Sequence, residues 1–402
     1  MQRLMPAALG LIFAIVPLFP SFIALTSVQF PGVSIVGRSA ILVILALCAL
    51  LAVYAIATMV RYPAAISQPL LLPLLAVFGA GVVAGALGFN PVSGLLFTGI
   101  GGLGIVWQCA VVRFYAQRNA ALTIFWAFLL SGALASAAAI AMVAARSPAA
   151  QYAIQHGRAT GTFILPGELA GYLIVFLPIA FAVAWRGSQP ALRAVGWSAL
   201  ALGFTALALT YSRAGWMGCA GAFAFLAAMR ARRRVETAAM VVAGGVLAVL
   251  LLFNAHHDPS EDYTRLSIWQ AAVQIADRFP LTGVGPFNFS RLYAVVRAPD
   301  ADATAFHAHN LYLTFFVEFG VAGLVAVGWT LWRFAAELRR RLANAEPANA
   351  FLAICVTAGL VGAAVQGLID TVSVLIFGLW MPMMGLALAA ASGGEPSPTV
   401  GG

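Results

Sequence analysis

Twelve runs of predominantly apolar residues divide this 402-residue chain, and about 17–25 such residues is the length that carries a helix across a bilayer. The runs cover residues 7–27, 39–60, 68–88, 91–112, 120–145, 162–185, 192–211, 214–229, 237–254, 310–332, 348–369 and 373–391. A segment inside a bilayer has no water to satisfy its backbone, so each must close its own hydrogen bonds as a helix. The sequence therefore predicts an all-α, polytopic integral membrane protein of about 12 transmembrane helices, forming a single domain over residues 1–402. Charged residues make up 9% of the chain, against about 25% in soluble domains, which excludes a soluble enzyme. A disordered chain is excluded too, since 62% of the residues are hydrophobic. Pro17 and Pro20 interrupt the first run and no small-residue cleavage site follows it, so it reads as a first helix rather than a leader.

All 22 basic residues are arginines, which removes lysine-based catalysis. Twelve spans put both termini on one face. With the termini in the cytoplasm, fourteen of the 22 arginines fall inside, in line with the positive-inside bias. The outer eight gather in a pattern: six sit in or beside the two longest outer loops. All five histidines (His156, His256, His257, His307 and His309) are also outside, and six of the 13 acids lie in the stretch 255–309. That stretch is far longer than the other connections and reads as one long periplasmic loop carrying the chemistry. Within it Ser260 can cap a helix, with Glu261 and Asp262 at its positive end. Leu266, Trp269, Val273 and Ala276 recur at helical spacing up to Pro280, which suggests a helix at the membrane surface.

The net charge of +9 has no polar domain to display it to nucleic acid, so membrane lipid and phosphate are the partners it fits. The arginines around 230–234 fit topology and anionic lipid. Cys48, Cys109, Cys219 and Cys355 all lie in apolar runs and form no disulfide or metal frame. There is no internal repeat, and only residues 186–191 join the sixth and seventh runs, unlike a transporter built from two six-helix halves.

Four polar blocks stand out. The first is Arg158-Ala-Thr-Gly-Thr-Phe163 with the turn Leu165-Pro166-Gly167, and the second is Thr210-Tyr-Ser-Arg-Ala-Gly-Trp216. The third joins Arg265-Leu-Ser-Ile-Trp269 to the stretch from Pro280 through Gly283-Val-Gly285 to Asn288 and Phe289. The fourth is His307-Ala-His-Asn-Leu-Tyr-Leu313, leading into Glu318, Gly320 and Gly323. In these blocks the chain resembles the O-antigen ligase family of bacterial glycosyltransferases, which shares a core with O-antigen polymerases and bacterial protein O-glycosylating transferases. The most specific correspondence is His309-Asn310, nine residues, Gly320, two residues, Gly323. Ser212-Arg213, the Arg265–Trp269 block and the Gly283-Val-Gly285 turn also match. The chain departs from the family at Leu165-Pro166-Gly167, where an Asn-Pro-Asn-like turn is expected.

The resemblance implies transfer of a glycan from undecaprenyl pyrophosphate to lipid A-core at the periplasmic face of the inner membrane, without metal or cofactor. The residue chemistry suits that reaction. A guanidinium stays charged and forks onto phosphate oxygens, and imidazole is the side chain suited to take a proton from a sugar hydroxyl. The expected assignment is His309 as general base, Arg213 and Arg265 on the pyrophosphate, and inversion at the anomeric carbon. Arg158, Ser212, Trp269, His307, Asn310 and Tyr312 are expected to contact substrate.

Blander roles stand beside these. Arg213 can snorkel to headgroups, Arg265 can pair with Asp262, and His307 and His309 with His256, His257 and Asp258 can hold a metal. Glu318 reads as a buried structural partner, and Asp370 as a group able to orient an arginine or the base. Glycines such as Gly79, Gly81 and Gly85 suit close helix packing or the wall of a groove for the polyprenyl chain. Alternative functions are an O-antigen polymerase, a protein O-oligosaccharyltransferase, or a lipid-linked glycan transporter, which would need no base.

Overall fold

The structure, a computed structural model, describes residues 2–15, 35–63, 68–117, 119–230, 236, 239, 243, 259–299, 301–302, 305–371 and 380–392. All regular elements among them are helical: α1 (Met5–Ile15), α2 (Ile35–Arg61), α3 (Leu71–Leu87), α4 (Pro91–Phe114), α5 (Ala120–Ala145), α6 (Ala149–Ile154), α7 (Pro166–Arg186), α8 (Pro190–Leu209), α9 (Arg213–Arg230), α10 (Pro259–Arg278), α11 (Phe289–Val296), α12 (Leu311–Leu342), α13 (Pro347–Gln366) and α14 (Trp380–Ala391). Six of these, α4, α5, α7, α8, α12 and α13, are long and apolar enough to cross a membrane. The run at 237–254 lies outside the described residues apart from isolated positions, as do 16–27 and 373–379.

Local chemistry sets the helix ends. Proline opens α4, α7, α8 and α13, where its fixed φ suits the first turn and its missing N–H costs nothing. Asn90 and Asn310 cap α4 and α12 by accepting from Ser93 N–H and Leu313 N–H. Helix α12 outruns its apolar stretch by ten residues because its last turns pair Arg340 and Arg341 with Glu337.

Of the six long apolar helices, α7 is the most enclosed, packed against α8, α9 and α13. Where α9 crosses α13, a Cβ on Gly218 would lie 2.8 Å from the Gly362 carbonyl oxygen, so side-chain-free backbones meet there. As a result α7 and α9 begin, and α13 ends, at the same end of the bundle.

Helix α12 is broken at Gly320, whose φ of 62° and ψ of −168° are not helical. The turn 280–285 fills the break. Val284 N–H and Gly285 N–H donate to the carbonyls of Val317 and Glu318, while Val321 N–H and Ala322 N–H donate to those of Pro280 and Leu281. The exchange satisfies four backbone groups that a break would leave bare, which a membrane interior penalises heavily. A Cβ at Gly320 would collide with the Leu281 backbone, which gives the glycine at this position a physical reason. Glu318 is buried beside this turn and accepts from the backbone of Phe287 and Phe289, the structural role its sequence position suggested.

Helix α10 forms where the sequence placed an amphipathic helix. Ile268, Ala271, Ala272, Ile275 and Ala276 pack with Val284, Phe289, Tyr293 and Val317. Leu266 and Val273 are about half exposed, at 52% and 48%.

Candidate active site

The segment before α12 is fastened to the segment after α13. Leu311 N–H donates to the Gly367 carbonyl at 2.7 Å, Asn310 Nδ2 to the Leu368 carbonyl at 2.9 Å, and the Tyr312 hydroxyl to the Ala364 carbonyl at 2.8 Å. Thr314 and Thr371 share a hydroxyl contact of 3.2 Å. These bonds set His309 against Asp370, with Nδ1 3.3 Å from Oδ1. The His309 side chain is 26% exposed and that of Asp370 17%, so the imidazole is open to a substrate while the carboxylate lies behind it.

Asp370 Oδ1 also accepts from Thr371 N–H at 2.8 Å. Burial pushes its pKa up, but the hydrogen bond from His309 and the charges of His309, His307 and Arg265 outweigh that and hold it at about 2. On its other side, a Cβ at Gly167 would come within 2.7 Å of Asp370 Oδ2. The Leu165-Pro166-Gly167 turn thus leaves at position 167 the space that the carboxylate occupies.

His307 lies beneath His309, their rings 4.3 Å apart. Its Nδ1 accepts from the His309 backbone N–H at 3.0 Å, which supports His309 in a left-handed conformation of φ 45°. That bond fixes the tautomer of His307 with its proton on Nε2. Burial, with the nearby charges of His309 and Arg265, drives its pKa down to about 3. Arg265, on α10, thus bears electrostatically on both His307 and Asp370.

A second group surrounds the turn between α8 and α9. Arg158 Nε donates to the Thr210 carbonyl at 2.9 Å. Ser212 caps α9 through Oγ, which accepts from Gly215 N–H at 3.0 Å, and Arg213 is the first residue of that helix. The two groups meet through the start of α7: Gly215 abuts Ala170, one turn beyond the Gly167 that abuts Asp370. Trp269 lies one turn after Arg265, half-buried, with its indole nitrogen shielded from solvent and no hydrogen-bond partner. Asn310, Tyr312 and Ser212 have polar atoms committed to protein partners. Their visible work is to position His309 and Arg213.

His307, His309 and Asp370 each offer a ligand atom within 4.8 Å of the others, the donor types of a divalent-cation site. The hydrogen bonds described above engage Nδ1 of both histidines and Oδ1 of Asp370. His256, His257 and Asp258, and the side chains of Glu261 and Asp262, lie outside the described residues.

Residues 198–328 match the O-antigen ligase family. No curated protein matches the chain. The O-antigen ligase match spans about a third of the sequence and takes in Arg213, Arg265, His307, His309, Gly320 and Gly323. Arg158, Gly167 and Asp370 fall outside it. Asp370 is the partner that motif reading supports least, because it lies 61 residues beyond His309 and in no recognisable block.

Proposed function

We propose that the protein is an O-antigen ligase that transfers a glycan from undecaprenyl pyrophosphate to lipid A-core. The observation that carries this reading is the His309–Asp370 hydrogen bond with Arg265 bearing on it, within and beside the stretch that matches the family. With Nδ1–H donated to Asp370, Nε2 of His309 presents its lone pair outward. The acceptor hydroxyl gives its proton to Nε2 as its oxygen bonds to the anomeric carbon. The bond from that carbon to the pyrophosphate oxygen breaks, and undecaprenyl pyrophosphate leaves with its charge met by Arg265 and Arg213. Attack opposite the leaving group inverts the anomeric centre. In this reading Arg158, Trp269 and His307 contact the substrate, and no metal or cofactor enters the step.

In this reading the chain lies in the bacterial inner membrane with about 12 spans and both termini cytoplasmic. Residues 255–309 form a periplasmic loop, and membrane lipid surrounds the polyprenyl chain. The test mixes purified protein, undecaprenyl pyrophosphate-linked O-antigen and lipid A-core without ATP, for wild type and a folded His309→Ala variant. Product from wild type and none from the variant supports ligase and base together. Product only when a second glycan unit or an acceptor protein replaces lipid A-core would move the assignment to a polymerase or a protein O-oligosaccharyltransferase.

A further inference from the structure

Helix α7 runs 21 residues from the Asp370 end of the bundle to Arg186, about 30 Å at 1.5 Å per residue, close to the thickness of a bilayer's hydrocarbon core. At its far end is a cavity of about 490 Å3, within the roughly 300–1,000 Å3 of small-ligand sites. Its chemistry differs from that of the His309 site. Arg186 lines it, and the Arg193 stem packs against Gly187 on its wall. No acidic side chain lines it among the described residues.

Three helices also begin at this cavity, α5, α8 and α13, none with a side-chain cap. Residues of their first turns, Leu122, Leu192 and Asn349, lie on its wall. First-turn N–H groups have no carbonyl within their own helix to donate to, and they add partial positive charge to that of the arginine. Deeper in, Phe125, Val183 and Leu352 supply an apolar wall. Cation and amides at the mouth with hydrocarbon behind is the pattern of a phospholipid's phosphate and glycerol backbone.

We propose that this cavity binds the phosphate of an anionic glycerophospholipid, drawn from the leaflet opposite His309, with Arg186 on the phosphate. The assignment does not depend on the transfer reaction. Full-length protein in detergent is mixed with phosphatidylglycerol, with phosphatidylcholine, or with phosphatidylglycerol plus equimolar glycerol 3-phosphate, and retained lipid is counted by native mass spectrometry. Wild type retains phosphatidylglycerol several-fold over phosphatidylcholine. Arg186→Gln and the cavity-filling Leu122→Trp each lose that retention several-fold, while Arg339→Gln, at an exposed arginine outside the cavity, keeps it. Equal retention by wild type and both cavity variants overturns the proposal, as does displacement by glycerol 3-phosphate, which would assign the cavity to a soluble phosphate.

Discussion

Asp370 occupies the space that a side chain on Gly167 would need: a Cβ there would stand 2.7 Å from Oδ2. Glycine at the start of α7 is otherwise a disadvantage, since alanine is favoured in a helix by about 1 kcal/mol. Gly167→Ala is therefore expected to leave the thermal melting point of the purified protein unchanged or higher while transfer falls at least ~10-fold through displacement of the carboxylate, an order of magnitude per about 1.4 kcal/mol of barrier. Unchanged turnover in that variant would detach Asp370 from the reaction.

Asp370→Asn keeps the shape and removes the charge that holds Nδ1–H of His309. Loss of the aspartate's orienting role in serine proteases costs about 10⁴ in kcat, and general-base catalysis is worth about 10²–10⁴. A fall of at least ~10² in kcat with KM for the donor little changed is the expected result. A rise in KM alone would make Asp370 a substrate contact.

His307 is held well below the ordinary histidine range, at about 3, chiefly by burial. Between the unfolded pKa of about 6.5 and that value, the unfolded chain binds a proton that the folded one does not, so stability rises with pH across this window. Melting of the detergent-solubilised protein is expected to occur at lower temperature at pH 5 than at pH 7.5. His307→Asn, whose side-chain oxygen can accept from His309 N–H, should reduce that slope. An equal slope in the variant would place the acid sensitivity elsewhere.

Ligand atoms within 4.8 Å make the histidine pair and Asp370 a natural target for a divalent cation, yet the proposed step uses none. Transfer is expected to survive exhaustive treatment with EDTA. Activity lost to the chelator and restored by a divalent cation would replace the base mechanism with a metal-assisted one.

The six long apolar helices were legible because burial in lipid leaves an unbroken apolar signature, and the histidine block because polar residues at a helix start are conspicuous against it. Helix α10 was legible from its spacing, but its inner face of Ile268, Ala271, Ala272 and Ile275 was not, because the partners that choose that face, Phe289, Tyr293 and Val317, lie outside the helix. The roles of Asn310 and Tyr312 as fasteners were hidden for a related reason: their partners, the carbonyls of Leu368 and Ala364, belong to the backbone and leave no mark in the sequence. Gly167 was visible only as a departure from pattern. Its meaning depends on Asp370, more than 200 residues away.

The turn that fills the break at Gly320 is bonded to the middle of α12, and the bonds that fasten His309 hold the start of the same helix, so the two anchors lie on a single element. Exposed positions between the two anchors, such as Val295, can change without moving the imidazole, whereas His307, bonded to His309 N–H, cannot. Sequence drift at those exposed positions therefore leaves His309 where the helix puts it.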